Sequence, residues 1–333
     1  MKILLVQLSF LGDMILSTPV ISGLKKLHPK AGLTVMTTPL AAALVENNPL
    51  VDRVITFDKR GREKSLSGMI EKARQLRAEG FDRVYSLHRS YRTSILLSLA
   101  RIPIRIGFKD AKLSFLYTKQ RQKKVEGHSA TRNLSLLFDE LPETEFDKNL
   151  RLFTSGYENL SKTAKETFPL AEEIIIMAPG SAWKTKQWHW QGYLDVARHF
   201  AQSGKKIVLI GGPADKSVCA KINDQNDFLD YSGRLSLSDT LYIMKYSTLL
   251  ICNDSMALHM ASAFKIPTVA VFCATSPEFG FGPWQNPQST VVQDDTLDCK
   301  PCRRHGSNRC PNGTEACMKI NAKKVINACA RFI

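Results

Sequence analysis

The chain has 333 residues, 44% of them hydrophobic and 23% charged, a balance that describes a folded globular protein, excludes a low-complexity one, and suits two domains of about 150 residues with a ligand cleft between them. The net charge of +15 is uneven: residues 1–170 hold 28 Lys/Arg against 17 Asp/Glu, and residues 51–132 hold 20 against 8. That surplus suits an anionic polymer or lipid headgroups, and equally a merely soluble basic surface.

Residues 1–8 form a short apolar run. Lys2 and that run resemble the start of a secretion signal, but Asp13 interrupts it and no small-residue cleavage pattern follows. The run is read as a buried first strand. No run approaches the roughly 18 apolar residues of a membrane-spanning helix, so a cytoplasmic protein is expected, with peripheral contact with an inner membrane compatible with its charge. The Phe10-Leu11-Gly12-Asp13 turn follows, and Ile15, Val20, Ile21, Leu24 and Leu27 then recur at helical spacing up to His28-Pro29. Further strands are expected at 33–37, 53–57, 83–87 and 104–108, with helices at 65–79 and 93–100, and alternation of this kind builds a parallel sheet. Residues 149–169 contain a helix-like segment and no core strand, and hold the linker. The rhythm restarts at 174–178, with strands at 206–210, 249–253 and 268–272, helices at 191–203, from 214 and from 255, and a terminal helix over 321–332.

Three segments carry chemistry. In open α/β sheets ligands bind beyond the C-terminal ends of the strands, where the Gly12-Asp13 turn sits; by position alone Asp13 also fits a helix cap. Ala178-Pro179-Gly180-Ser181 follows a strand and leads into Trp183-Lys184-Thr185-Lys186-Gln187-Trp188. Backbone N–H groups there suit a phosphate and Lys186 can neutralise a departing diphosphate, though a surface loop lysine reads the same way. Asp254-Ser255 precede a helix on which His259 lies four residues after Ser255, either as a cleft residue or as a satisfied buried side chain. Trp183, Trp188 and Trp190 fit base or sugar stacking and, no less, core packing.

Together these segments resemble family 9 glycosyltransferases, the heptosyltransferases that build the inner core of lipopolysaccharide. The resemblance rests on Gly12-Asp13-Met14 followed by Pro19, on Lys186-Gln187-Trp188 after Pro179-Gly180, and on Asn253-Asp254-Ser255 with His259. It implies a GT-B fold of two Rossmann-like doubly wound domains facing across a cleft: an acceptor-binding domain at 1–160, a nucleotide-sugar donor domain at 170–320 and a terminal helix at 321–333. The implied donor is a nucleotide-diphosphate heptose, usually ADP-linked, transferred with inversion to an anionic lipid-linked saccharide. Asp13 would be the base, and Lys186 with the helix start at Asp254-Ser255 would stabilise the leaving ADP. Gly180, Ser181 and His259 would hold the donor, and Gly12, His88, Arg89 and Arg92 the acceptor, whose carboxylates or phosphates suit the two arginines. The sequence has no Asp-x-Asp, so no catalytic cofactor is expected and cations and helix ends take the place of a divalent ion. Met256 replaces the family's usual Gly, and Cys273-Ala274-Thr275 its usual Gly-Pro-Thr. Another sugar or acceptor, or a nucleotide-sugar epimerase, remains an alternative.

Cys299, Cys302, Cys310 and Cys317 fall within 19 residues. They have the ligand count of a structural zinc or iron–sulfur site, but not its usual paired spacing; reduced thiols lining a loop are the other reading. A dehydrogenase is disfavoured because neither domain's first turn carries Gly-x-Gly-x-x-Gly. A nucleic-acid partner is not expected, because no recognition module accompanies the charge.

Overall fold

The core runs of this chain do not alternate apolar with polar, which is the pattern of strands covered on both faces. In the computed structural model, which describes residues 1–167 and 173–333, they lie in two parallel six-stranded sheets, one in each of two compact units, Met1–Phe153 and Thr154–Ile333. The expected end of the linker at 169 and the expected start of the second domain at 170 lie outside the described residues.

The first unit runs β1 (Lys2–Val6), α1 (Leu11–Ile15), α2 (Thr18–Leu27), β2 (Gly32–Thr37), β3 (Arg53–Thr56), α3 (Leu66–Ala78), β4 (Arg83–Ser86), α4 (Tyr91–Leu99), β5 (Ile104–Phe108), β6 (Lys119–Arg121) and α5 (Ser129–Leu134). Its strand order is β3-β2-β1-β4-β5-β6. The chain winds outward from β1 to β3, then restarts beside β1 at β4 and winds the other way, so the topological switch point lies between β1 and β4. Leu4, Val6, Met36, Val84 and Leu96 are buried in its core.

The second unit runs α6 (Lys162–Thr167), β7 (Ile174–Ala178), α7 (Trp190–Gln202), β8 (Lys206–Leu209), α8 (Lys216–Ile222), β9 (Leu229–Asp230), α9 (Leu237–Lys245), β10 (Leu249–Asn253), α10 (Met256–Phe264), β11 (Thr268–Phe272), β12 (Ser289–Gln293) and α11 (Ala322–Cys329). The order β12-β11-β10-β7-β8-β9 puts its switch point between β7 and β10. Ile175, Met177, Ile207, Ile251 and Val269 are buried between its helical layers.

Several elements depart from the sequence reading. The Gly12-Asp13 turn is part of α1, and the single helix expected from Ile15 to His28 is two, separated at Leu16-Ser17, with Pro19 near the start of the second. The Ser17 hydroxyl donates to the Asp13 carbonyl at 2.6 Å, satisfying a backbone acceptor where the first helix stops. The edge strands β6, β9 and β12, and the helices α5 and α9, were not anticipated. β6 is the polar tripeptide Lys-Gln-Arg and β9 has two residues, so neither carries an apolar signal. α9 begins with a reciprocal cap: Ser236 Oγ accepts from the Asp239 N–H at 3.0 Å, and Asp239 Oδ2 accepts from the Ser236 N–H at 3.2 Å. Among the described residues no helix is long and apolar enough to cross a membrane.

Candidate active site

In the first unit, β1 and β4 deliver their following loops to the switch point, the position where open α/β sheets bind ligands. Asp13 occupies the third position of α1, and its Oδ2 accepts from the Phe10 N–H at 3.2 Å. It therefore helps to cap α1, and its charge also acts on the ammonium groups of Lys59 and Lys123. After β4, His88 Nδ1 lies 2.6 Å from Thr93 Oγ1 and Nε2 lies 3.3 Å from Lys59 Nζ. Burial, with Lys59 and Arg89 nearby, pulls the His88 pKa down to about 4. The imidazole is thus neutral near pH 7, and because Lys59 can only donate, Nε2 accepts and Nδ1–H points to Thr93.

Of the two expected acceptor arginines, Arg89 pairs with Asp110 and remains exposed. Arg92 instead donates to the carbonyls of Lys64 at 2.7 Å and Glu63 at 2.8 Å, so it clamps the loop between β3 and α3. Two cations were missed by sequence reasoning. Lys59 leaves the β3 loop to meet His88, and Lys123 leaves the β6 loop with its Nζ 5.1 Å from the centre of the Phe108 ring. Burial, reinforced by Arg89, brings the Lys123 pKa down to about 8. The only signal in the sequence was the general basic surplus of residues 51–132.

In the second unit the loops after β7 and β10 again meet at the switch point. Lys186 Nζ lies 2.7 Å from Asp254 Oδ2, with both side chains largely buried. Thr275 Oγ1 donates to that same oxygen at 2.7 Å. The Ser181 hydroxyl donates to the Asp254 carbonyl at 3.2 Å, and Gln187 Nε2 to the Ser181 carbonyl at 2.9 Å. Asn253 joins the two loops, its Nδ2 donating to the Pro179 carbonyl at 2.7 Å and its Oδ1 accepting from the Trp188 N–H at 3.0 Å. Gly180 lies against the Asp215 carboxylate: a Cβ there would lie 2.2 Å from it, so any larger residue would make that side chain move. Ser255 precedes α10 in extended conformation and makes no side-chain cap bond, so Lys186 stands beside a helix start not closed by its own cap residue. His259 is buried on α10 with Nδ1 lacking a partner, and burial together with Lys186 brings its pKa down to about 3. It is neutral, a hydrogen-bonding group and not a cation.

Met256 opens α10 half-buried, and Thr275, within the departing Cys273-Ala274-Thr275 segment, holds Asp254. The tryptophans divide. Trp188 is core, its indole N–H donating to the Ile320 carbonyl at 2.9 Å, and Trp190 packs against the same core, whereas Trp183 is exposed.

The expected metal site at Cys299, Cys302, Cys310 and Cys317 finds no support in the arrangement. The four thiols line one cavity of about 280 Å³, yet among the described residues no group of three or more His, Cys, Asp or Glu side chains is disposed to hold a metal ion. Cys302 Sγ lies 3.0 Å from the Cys299 carbonyl; burial raises the pKa of the Cys302 and Cys317 thiols, whereas backbone N–H groups lower that of Cys310. The cysteine-rich segment also braces the loop after β7. Thr185 exchanges bonds with Ser307, its N–H donating to the Ser307 carbonyl at 3.0 Å and its Oγ1 accepting from the Ser307 N–H at 2.8 Å, while the Cys302 N–H donates to Ala274.

Residues 69–311 match the model of Glycosyltransferase family 9 (heptosyltransferase). The chain is 25% identical over 336 residues to lipooligosaccharide heptosyltransferase 2 of Campylobacter jejuni (serotype O:6), covering 98% of this chain and 97% of that protein. Among solved structures it is similar to a family 9 glycosyl transferase of Veillonella parvula, with TM-score 0.86 and 27% identity over 99% of this chain and 96% of that one. It also shares the fold of the ADP-heptose lipopolysaccharide heptosyltransferase II of E. coli, with TM-score 0.82 and 20% identity over 100% and 98%. Two parallel doubly wound units and a family match over most of the length lead to one assignment: the chain is a glycosyltransferase of GT-B fold and belongs to glycosyltransferase family 9, the heptosyltransferase family.

Proposed function

We propose that the protein transfers a heptose, with inversion, from ADP-heptose to the inner core of lipopolysaccharide. The observation that carries this reading is the Lys186–Asp254 pair at the start of α10, where the loops after β7 and β10 meet. A diphosphate at that helix start competes with Asp254 for the Lys186 ammonium and takes up the backbone N–H groups of α10. The Asp254 carboxylate and the neutral His259 are suited to sugar hydroxyls, and Gly180 and Ser181 to the phosphate side of the donor.

In this reading Asp13 accepts the proton of the acceptor hydroxyl as its oxygen forms the new bond to the anomeric carbon. The bond from that carbon to the phosphate oxygen breaks, and its electron pair leaves with ADP. Lys186 and the α10 N–H groups meet the developing negative charge. The first unit binds the acceptor, with Gly12, Arg89, Lys59 and Lys123 around Asp13 serving its carboxylates or phosphates and neutral His88 orienting Lys59; Arg92 contributes by holding the β3 loop. No resident metal takes part in any step.

Incubation with a panel of nucleotide sugars and deep-rough lipopolysaccharide acceptors, followed by mass spectrometry, tests the assignment. A heptose-sized mass gain only with ADP-heptose is expected. Gain from another sugar would change the donor, and epimerised donor in the absence of acceptor would replace the reading altogether.

A further inference from the structure

The strands of the first sheet are all parallel, so the loops following β1, β2, β3, β4 and β6 emerge along one edge. Each presents an exposed large apolar side chain at its tip or at the first helical residue beyond it: Phe10 (63% exposed), Leu40 (63%), Leu66 (67%), Tyr91 (54%) and Val125 (77%). Soluble proteins scatter such residues singly, and one on each of these five loops is a different pattern. The same loops carry cations. Arg60, Arg62 and Lys64 are exposed between β3 and Leu66, and Lys124 is exposed next to Val125. Of the acids on these loops, Asp58 accepts backbone N–H groups of its own turn, Glu63 pairs with Lys72 and Glu126 is exposed beside Val125, while Glu143 pairs with Lys124.

We infer that this loop edge docks on an anionic phospholipid bilayer, Leu40, Leu66 and Val125 entering the headgroup–acyl boundary while Arg62 and Lys64 meet lipid phosphates. Short apolar side chains flanked by Lys and Arg are what an interfacial, non-spanning contact requires: apolar area supplies insertion and the cations supply the attraction to anionic lipid. Apolar tips disfavour a purely electrostatic partner such as nucleic acid. The inference rests on the proposed acceptor being lipid-linked, since a bilayer-facing edge beside Asp13 then lets the enzyme meet its acceptor without extracting it from the membrane.

Cosedimentation of the full chain with vesicles tests it, comparing phosphatidylglycerol/phosphatidylethanolamine with phosphatidylcholine alone. Binding to the first and little to the second is expected. The triple variant Leu40→Ser, Leu66→Ser, Val125→Ser and the double variant Arg62→Gln, Lys64→Gln should each lower the partition coefficient by about tenfold or more. Transfer to a delipidated, water-soluble acceptor saccharide should match wild type for both variants, which shows that they are folded. Wild-type protein that ignores anionic vesicles, or variants that bind them as wild type does, would overturn the docking face. Absence of transfer by wild type to any acceptor would instead strike the proposed function and leave the vesicle result standing.

Discussion

Asp13 both caps a helix and stands among cations. Its carboxylate accepts from the Phe10 N–H and so stabilises the start of α1, a capping contribution of about 1 kcal/mol, while the same position places it among the cations of the first switch point. Position in the sequence supplied both readings and could not choose between them, because the choice depends on Lys59 and Lys123, which arrive from loops 46 and 110 residues downstream. Those lysines give a pH prediction. With its pKa near 8, Lys123 carries its full charge well below that pH and loses it as pH rises through it. The KM for an anionic acceptor should therefore climb above about pH 8 while the donor KM changes little, and Lys123→Gln should flatten the acceptor profile; a profile unchanged by that substitution would remove Lys123 from acceptor binding. Lys186→Ala should lower kcat by about 100- to 1,000-fold, the usual effect of removing a charge-stabilising group from a transition state, as measured by initial rates at saturating donor.

At the scale of elements, the strands that build the two switch points were legible because β1, β4, β7 and β10 are apolar runs bounded by turn residues. The edge strands β6 and β9 were not, since an edge needs little burial and these are too short or too polar to show a period. α5 escaped for a different reason: Ser129, Thr131, Arg132 and Asn133 are polar yet buried, so apolar periodicity misjudges that helix. The donor loop shows the limit most clearly. Lys186 and Asp254 were both singled out, but their ion pair and the Thr275 hydroxyl that supports it join segments 68 and 21 residues apart, and Thr275 lies in the segment read only as a departure from the family. Thr275→Val removes a hydrogen bond to a buried carboxylate and should cost about 2 kcal/mol of stability. Denaturant titration should detect that loss, with Thr275→Ser restoring most of it; equal midpoints for Val and wild type would show that Asp254 does not depend on this bond.

For the whole molecule, duplication of one architecture explains why the fold could be read from the sequence while part of the site could not. Each doubly wound unit brings two loops to one switch point, so the chemistry-bearing segments recur after central strands in both halves. The cysteine-rich segment has a role that cysteine counting does not show: four thiols within 19 residues suggest a metal site, and in the structure the loop also braces Thr185 and Ala274 beside Lys186 and Thr275. Transfer should accordingly persist within about twofold after exhaustive chelation, the expectation where charge stabilisation comes from Lys186 and a helix start. Activity lost on chelation and restored by one added divalent ion would contradict this. The account as a whole turns on the proton acceptor. Asp13→Ala should be compared with wild type by calorimetric titration with ADP and by mass-spectrometric detection of transfer from ADP-heptose. Nucleotide affinity within about threefold of wild type with no detectable glycosylated product is the predicted result; product formed at the wild-type rate would show that Asp13 is only a helix cap.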